Sequence, residues 1–435
     1  MKQILKELKT FILLWSTQSL SQLGSAMTNF ALVIYLYEKT GSALQTALLS
    51  ICSYAPYVLM SIFAGALSDR WNRKKVMLTC DVLAAACTVT VFVLLRTDAL
   101  MPWHMYVLNA VNGLMNTVQQ PASDVSMTLI TPEKHFQRTS GLRSFSNSLV
   151  TILTPVLATA VLSFWGMDAV IAFDLLTFTV AFLVLLFFIC IPETTAAAKK
   201  EPLLQAARAG LAFLNRNRLI LTLILFLAGV NLVASAFNAT LPAMILPREN
   251  GGELVLGAVQ SAAGIATLVG SVFVTLMPAP KNRVRAICIT LLISLGTENF
   301  ILAFTHTPVL WCVAQVCGWI VIPVMNANLD VILRTGIPAE MQGRVFSCRN
   351  TLQFFTIPLG YFLGGWMTDT VFEPLMAAQS AGSLLTNLFG SGKGSGASMM
   401  LAALGMLGTL ICLVFWKILS RQQHSRASGM EPHLE

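Results

Sequence analysis

The chain of 435 residues is 55% hydrophobic and 11% charged, with a formal net charge of +8 at pH 7. A water-soluble globule cannot bury that much apolar surface, which excludes a soluble enzyme and a soluble binding module as the class of protein. The composition therefore predicts an all-α membrane protein with the lipid bilayer as its solvent.

Apolar runs follow one another along the chain, each long enough to cross a hydrocarbon core of roughly 30 Å as a helix. The first run is a full span rather than a short run before a cleavage site, so no cleavable signal peptide is predicted. Twelve spans place both termini on one side of the membrane. The predicted spans are 11–37, 43–67, 76–95, 104–130, 144–165, 168–191, 218–246, 254–278, 285–305, 308–333, 350–370 and 398–420.

The basic residues indicate which side that is. If the termini are cytoplasmic, 24 of the 28 Lys and Arg residues lie on the cytoplasmic side of the predicted spans. This asymmetry predicts a multi-pass protein of the cell inner (plasma) membrane with both termini in the cytoplasm. The net positive charge then reflects the membrane topology and the attraction of basic residues to anionic lipid, so no nucleic-acid partner is expected.

A repeat relates the two halves of the chain with a shift of 206 residues. Each copy lies on the polar link between two apolar runs, which predicts two parallel six-helix repeats with a substrate site between them, as in secondary transporters. The repeated residues are Asp124, Pro132, Arg138 and Arg143 in the first half and Asp330, Pro338, Arg344 and Arg349 in the second. The predicted division is 1–191 and 218–420 for the two bundles, 192–217 for a cytoplasmic linker and 421–435 for a cytoplasmic tail.

Two segments differ from the spans in composition. Residues 192–217 are richer in Lys, Arg and Pro, and their apolar residues fall on one helical face, which predicts a surface helix that joins the halves. The stretch Gly390–Gly396 alternates Gly with Ser and Lys and is predicted to be a flexible outer loop.

Polar residues recur at helical spacing on the first, fourth, seventh and tenth spans. Such residues cost free energy in lipid unless they face protein or a wet cavity. They could simply hold helices together, as amides do in membranes, but their position on four symmetry-related spans favours one central aqueous cavity. The predicted substrate-binding residues are Gln18, Gln22, Asn29, Asn109, Asn112, Asn116, Asn231, Asn238, Gln315 and Asn326.

Carboxylates within the spans are candidates for proton coupling, because desolvation favours the protonated form. Asp174 on the sixth span and Glu298 on the ninth are the predicted proton carriers, with a structural hydrogen bond as the alternative role of each. Asp81, near the inner end of the third span, is interpreted as a partner of the cytoplasmic gate. No carboxylate lies at mid-depth on the first, fourth, seventh or tenth span, which disfavours a substrate that needs a fixed counter-ion there.

Cysteines and histidines give no sign of metal or redox chemistry. The nine cysteines lie in or beside spans without a C-x-x-C pair, and the five histidines are not paired at a ligand spacing. No metal site and no cofactor are therefore expected. A membrane enzyme would also need a nucleophile and base or a metal constellation, which no His, Cys and Asp grouping supplies.

The segment Gly65–Lys75, with the sequence GALSDRWNRKK, resembles the G-x-L-x-D-R-x-x-R-K motif of the major facilitator superfamily. In that family the Asp caps helix 11 and an Arg pairs with an acid on helix 4, roles that the resemblance assigns to Asp69, Arg73 and Asp124. The alternative is a basic cluster shaped only by topology, which does not account for Gly65 or Asp69. The implied gate residues are Gly65, Asp69, Arg70, Arg73, Asp124, Asp330 and Arg344.

Within that superfamily the chain is similar to the macrolide-efflux branch, the third group of drug:proton antiporters. The similarity rests on Glu38–Ser42, Gly343–Ser347 and Ile171–Asp174 and extends over nearly the whole chain. The antiporter motif of the fifth span has glycines around a proline, whereas this chain has Thr154–Ala158 there.

The resemblance implies a secondary active transporter that exports bulky, largely apolar organic compounds by proton antiport with alternating access. Its partners would be a small-molecule substrate, protons and lipid, and a monomer is expected. The alternatives are an exporter of an endogenous siderophore, lipid or peptide and, more remotely, a membrane receptor or enzyme. A receptor would not require polar stripes that are symmetric between the halves.

Overall fold

The computed structural model describes residues 7–68, 72–191, 203–380 and 382–427, and within these ranges the chain forms helices and no β-strand. A short 3₁₀ turn at Glu133–His135 and a π turn at Thr368–Phe372 join longer helices. The helices in chain order are α1 Lys9–Thr40, α2 Ala43–Ser68, α3 Arg73–Arg96, α4 Pro102–Leu129, the continuous pair α5 and α6 in Phe136–Phe188, α7 Leu203–Arg216, α8 Arg218–Ile245, α9 Glu253–Leu276, α10 Arg283–Phe304, α11 Pro308–Trp319, α12 Ile322–Gly336, α13 Ala339–Phe354, α14 Thr356–Met367, α15 Glu373–Ala377, α16 Leu384–Phe389 and α17 Ser395–Ala427.

The helical form follows from the apolar composition, because in lipid each backbone N–H and C=O must be satisfied within its own segment. Among the described residues, eight helical stretches are long and apolar enough to cross a membrane by length and composition. The helices α1 and α4 cover predicted spans but are more polar, since they carry the polar stripes. The predicted all-α membrane fold is confirmed.

Two predicted spans, 144–165 and 168–191, form one helical run that turns at Gly166. The backbone there has φ 79° and ψ −179°, a conformation that glycine adopts without a steric penalty. We call residues 136–165 α5 and residues 167–188 α6.

The tenth predicted span is also interrupted, between α11 and α12. Pro323 lies in the first turn of α12, and its missing N–H cannot continue the hydrogen bonding of the preceding helix.

The described chain divides into two compact units. The first unit runs to Gly41, resumes from Leu48 to the end of α6 and includes Leu256–Ser261 from α9. The second unit contains Ser42–Ala47 and the rest of the chain from α7 onward. These units differ from the predicted division in three places: the first turn of α2 lies in the second unit, a turn of α9 lies in the first, and α7, within the predicted linker, belongs to the second unit.

Specific contacts explain why Leu256–Ser261 of α9 belongs to the first unit. Ser261 Oγ donates to the backbone carbonyl of Ile152 at 3.0 Å. A Cβ atom at Gly257 would lie 2.8 Å from the carbonyl oxygen of Pro155, so the absence of a side chain lets α9 approach α5 closely in the first unit.

The second unit is held together by a seam between α8 and α14 with its following π turn. Small residues at a four-residue interval let the two backbones approach, and threonine hydroxyls bond across the seam at its ends, at 2.8 Å and 3.2 Å. The facing pairs are Ala228 with Thr356, Leu232 with Gly360, Ala236 with Gly364 and Thr240 with Thr368. A Cβ atom at Gly364 would lie only 2.6 Å from Ala236 Cα.

The predicted flexible loop at Gly390–Gly396 is anchored by two charged side chains. The Arg248 guanidinium donates to the Phe389 carbonyl at 2.8 Å and to Ser398 Oγ at 2.7 Å. Glu373 accepts hydrogen bonds from the backbone N–H groups of Gly394 and Ala397 at 3.0 and 3.1 Å, at the start of α17. Burial and the nearby Arg248 cation lower the pKa of His306, which accepts a hydrogen bond from Arg248.

Candidate functional site

A small polar cavity of the first unit lies where α1, α3, α4 and α6 meet. Its volume is about 60 Å³. The polar stripes of α1 and α4 both reach it, together with one carboxylate from α6 and a hydroxyl from α3. The polar residues of its lining are Ser25, Thr28, Asn29, Thr88, Asn112, Asn116 and Asp174.

Asp174 is the carboxylate that lines this cavity. Its side chain is 3% exposed. Ser25 Oγ donates to one carboxylate oxygen at 2.9 Å, and Thr88 Oγ1 lies 3.4 Å from the other. No Lys, Arg or His is among the residues of the described chain that line the cavity. The carboxylate thus lies in a polar but cation-free site.

Gly24 explains how α1 comes close enough to α6 to deliver Ser25. A Cβ atom at this position would lie 3.0 Å from Asp174 Cα and 3.2 Å from one of its carboxylate oxygens. A larger residue would push the helices apart and remove the Ser25 hydroxyl from the carboxylate. Gly24, Thr28 and Thr88 were not among the predicted site residues. Gly24 lies directly beside the stripe of α1, which is the signal that could have identified it.

The size of the cavity limits what it can hold. About 10–15 Å³ of such cavity volume is enough for one water, so the cavity has room for a few waters or a small ion and not for a drug-sized molecule. Its chemistry suits the binding and release of a proton, because a buried carboxylate without a cation is costly in its ionised form.

Several predicted stripe residues make helix-to-helix hydrogen bonds. Asn109 is 6% exposed, and its Nδ2 donates to the Leu49 carbonyl on α2 at 2.9 Å. Asn231 Nδ2 donates to the Gln353 carbonyl on α13 at 3.0 Å. For these two amides the geometry matches the alternative role of holding helices together. Gln315 is 2% exposed and is therefore also enclosed by protein.

The other stripe residues are more accessible. Gln22, Asn116 and Asn238 are exposed, and Gln18 and Asn29 are partly buried. In the second unit, Asn326 lines a separate, more open cavity of about 350 Å³. The structure thus brings Asn29, Asn112 and Asn116 together around Asp174 and places the remaining predicted residues elsewhere.

Among the predicted gate residues, Asp124 forms an ion pair with Arg143 of α5. Arg73 begins α3 and is not the partner of that ion pair. Gly65 lies within α2. The positions of Asp69 and Arg70 are outside the described residues, so the predicted cap of helix 11 is not described.

The symmetry-related gate residues of the second unit form a different pattern. Asp330 pairs with Arg334 one helical turn later on α12, at 2.8 Å. Arg349, the repeat mate of Arg143, lines the same 350 Å³ cavity as Asp330. Arg344 Nη1 lies 3.6 Å from the Met341 sulfur. Among the described residues, the repeat in sequence is therefore not matched by identical ion pairs.

Glu298, the second predicted proton carrier, lies in the second unit. Its carboxylate accepts a hydrogen bond from Trp319 Nε1 at 3.0 Å and is 5% exposed. A Cβ atom at Gly318 would lie 2.7 Å from Glu298 Cβ, so α10 and α11 are closely packed around this acid. It lines neither of the two cavities.

Asp81, in the first unit, accepts a hydrogen bond from Gln119 Nε2 at 2.6 Å.

Asp369 makes a structural contact that the sequence does not predict. One carboxylate oxygen accepts from the Ala43 N–H at 2.9 Å, and the other accepts from Ser42 Oγ at 2.6 Å and the Leu44 N–H at 2.9 Å. The carboxylate thereby caps the N-terminus of α2, where the positive end of the helix dipole favours a negative charge. The cap fixes the first turn of α2 in the second unit.

Replacing Asp369 by Asn should loosen this turn, because the amide removes the charge and offers an N–H₂ group to the facing donors. A cost of about 1 kcal/mol is expected, up to about 2 if the charge is well shielded from water. A cysteine at Gln45, in a background without the native cysteines, should react faster with a membrane-impermeant thiol reagent. Glu373→Gln, which alters the cap of α17, is the matched control and should leave labelling at position 45 unchanged. Equal labelling of wild type and Asp369→Asn would contradict the cap.

Comparisons with known proteins agree with this architecture. A family model described as Major Facilitator Superfamily matches residues 14–361. Macrolide efflux protein A of Streptococcus pyogenes is 24% identical over 366 residues, which cover 83% of this chain and 90% of the relative. Multidrug efflux pump Tap of Mycolicibacterium fortuitum is 23% identical over 364 residues, or 80% and 86% of the two chains. A crystal structure of the nucleoside transporter NupG superposes with a TM-score of 0.66 at 13% identity, over 94% of this chain and 98% of that one, and shows the same fold.

Proposed function

Because the chain belongs to the Major Facilitator Superfamily, whose model matches residues 14–361, we propose that it exports bulky, largely apolar organic compounds in exchange for protons by alternating access. Membership itself makes the chain a multi-pass membrane transporter of small molecules and not an enzyme. The resemblance to this superfamily and to its macrolide-efflux branch, predicted from the sequence motifs, is confirmed.

The proposed substrate class is supported by the relatives, which are named for macrolide efflux and multidrug efflux at 24% and 23% identity. It also agrees with the pattern of charge. The stripe residues are amides rather than charged groups, which suits a substrate recognised through apolar contact and a few hydrogen bonds.

The environment of Asp174 supports the proposed proton coupling. This carboxylate is buried, and among the described residues no Lys, Arg or His lines its cavity. The hydroxyl groups of Ser25, Thr28 and Thr88 hold it there, and the cavity is large enough for water. A group in that setting gains or loses a proton when its access to water changes. Glu298 is enclosed by Trp319 and closely packed helices, which favours a structural role for it.

The proposed location is the plasma membrane, with both termini in the cytoplasm and the protein as a monomer. The distribution of Lys and Arg along the chain supports this orientation. Cysteines introduced near either end, labelled from one side only, would test it.

The function is tested by measuring the accumulation of a panel of macrolides and lipophilic dyes in a host that lacks its own efflux pumps. Cells that express the protein should accumulate less of at least one compound, and a protonophore should abolish the difference. A uniform lack of effect across the panel, in cells with folded protein in the membrane, would contradict the substrate class and favour an endogenous siderophore, lipid or peptide.

Two amides of the polar stripes are expected to respond differently to replacement by Leu. Asn112 lines the cavity, so Asn112→Leu should change the range or rate of exported compounds and leave the folded yield close to wild type. Asn231 bonds to the Gln353 carbonyl, so Asn231→Leu leaves that acceptor without its donor, at a cost of about 1–3 kcal/mol if the carbonyl is shielded from water. Thermal unfolding together with substrate profiles separates the two effects. A lower melting temperature for Asn112→Leu than for Asn231→Leu would reverse the assignment.

A further inference from the structure

The cavity around Asp174 contains one negative charge that its lining does not neutralise. Asp174 is the only charged or titratable residue among the described residues that α1, α3, α4 and α6 contribute to the lining. Asp81, elsewhere on α3, is bonded to Gln119 and does not line the cavity. An occupant that carries one positive charge would therefore neutralise the site, whereas a divalent ion would leave an excess charge in a buried environment.

The lining offers more oxygen atoms than a proton requires. A protonated carboxyl group needs one acceptor, but this cavity presents hydroxyl groups from two helices besides the amides of α1 and α4. Thr28 is one of these residues. It is 6% exposed, and its hydroxyl lies beside the Asp174 carboxylate in the cavity. Its oxygen lone pairs remain available to a cation that binds next to the carboxylate.

Hydroxyls that donate to the carboxylate can still bind a cation. Ser25 directs its hydrogen toward Asp174 at 2.9 Å, which leaves its oxygen lone pairs available. Carboxylate, hydroxyl and amide oxygens are the ligands that hard cations prefer. A volume of about 60 Å³ accommodates a small cation with one or two waters.

We propose that this cavity binds one Na⁺ ion between the Asp174 carboxylate, the Ser25 and Thr28 hydroxyls and the amide oxygens of the lining. The site is the one to which the proposed function assigns the proton, and Na⁺ and the proton compete for the same carboxylate. The ion then either replaces the proton as the coupling ion or inhibits proton exchange when Na⁺ is abundant.

The test is binding of radioactive sodium to the purified full chain in detergent, with choline replacing Na⁺ at constant ionic strength. Binding should saturate at one ion per chain at alkaline pH, and the apparent affinity should fall as the pH is lowered. Excess unlabelled Na⁺ should displace the ion, and choline should not. The melting temperature should rise with Na⁺ over the same concentration range, because a ligand of the folded state stabilises it.

Two substitutions make the assignment specific. Asp174→Asn should remove saturable binding, and Thr28→Val should weaken it about tenfold, the equivalent of about 1.4 kcal/mol. The melting temperature of Thr28→Val measured in choline shows whether this variant remains folded. Thr177→Val is the matched control, since its hydroxyl bonds to the Asp174 backbone carbonyl and lies outside the lining. It should bind Na⁺ like wild type.

The inference is overturned if wild type shows no saturable Na⁺ binding, or if Asp174→Asn and wild type bind equally. Equal affinity in Thr28→Val and wild type would also overturn the proposed ligand set. These outcomes are independent of proton antiport: absent Na⁺ binding with intact substrate-driven proton flux refutes only the Na⁺ site. Conversely, Na⁺ binding that requires Asp174, without substrate-driven proton flux, refutes the proton coupling and supports the Na⁺ site.

Discussion

Replacing Asp174 by Asn is expected to abolish the proton flux that accompanies substrate export while leaving substrate binding intact. The amide is close in size to the carboxylic acid and keeps an oxygen for the Ser25 hydroxyl, but it cannot take up or release a proton. The fold should survive, because the change removes a buried charge that has no cationic partner in the lining. Transport driven by a pH gradient should fail, and exchange of labelled for unlabelled substrate should continue.

The measurement is the change in lumenal pH on addition of substrate to liposomes that contain the purified protein. Glu298→Gln is the matched control, since Glu298 is also a buried carboxylate but is bonded to Trp319 in the other unit. It should retain substrate-driven proton flux. If only Glu298→Gln loses the flux, the proton carrier is Glu298. If both variants move protons at the wild-type rate, coupling lies with Asp124 or Asp330, or the protein is a uniporter.

Replacing Gly364 by Leu is expected to cause the largest loss of folded protein. A Cβ atom there would lie 2.6 Å from Ala236 Cα, a backbone atom that cannot move without displacing α8. Extra atoms in a closely packed contact usually cost about 1–3 kcal/mol, and a whole Leu side chain should reach the upper end or exceed it. The contacts at Gly360 and the threonine bonds along the same seam would separate with it.

Fluorescence-detected size exclusion and thermal unfolding in detergent measure this loss. Gly364→Ala should lower the melting temperature less than Gly364→Leu does. Gly229→Ala, also on the seam helix α8, is the control, because its Cβ would meet only the Ile411 side chain at 3.4 Å, an ordinary contact distance. A wild-type melting temperature for Gly364→Leu would show that the seam is not closely packed in the membrane-extracted protein.

The sequence alone determined the class of protein and the order of its helices, because hydropathy and length are local properties that lipid selects directly. The turn at Gly166 falls between two predicted spans, and Asp174 was identified as a buried acid from its position within an apolar run. Periodicity also predicted that α1 and α4 would each present a polar face. These features need no knowledge of which helices become neighbours.

Tertiary structure decided which polar groups meet. The face of a helix follows from its sequence, but its rotation and neighbours depend on the packing of the other helices. For this reason Asn112 lines the Asp174 cavity, whereas Asn109, one turn earlier on the same stripe, donates to a backbone carbonyl of α2. The same cause pairs Asp124 with Arg143 of α5.

Close packing at small residues decided the remaining features. The approach of α1 to α6 at Gly24 delivers a hydroxyl to Asp174, and the approach of α9 to α5 at Gly257 places a turn of α9 in the first unit. The Asp369 cap on α2 depends on residues more than 320 positions apart in the chain, at Ser42, Ala43 and Leu44. A single sequence has no local signal for such a pair, because the carboxylate and the helix terminus that it caps are brought together only by the folded bundle.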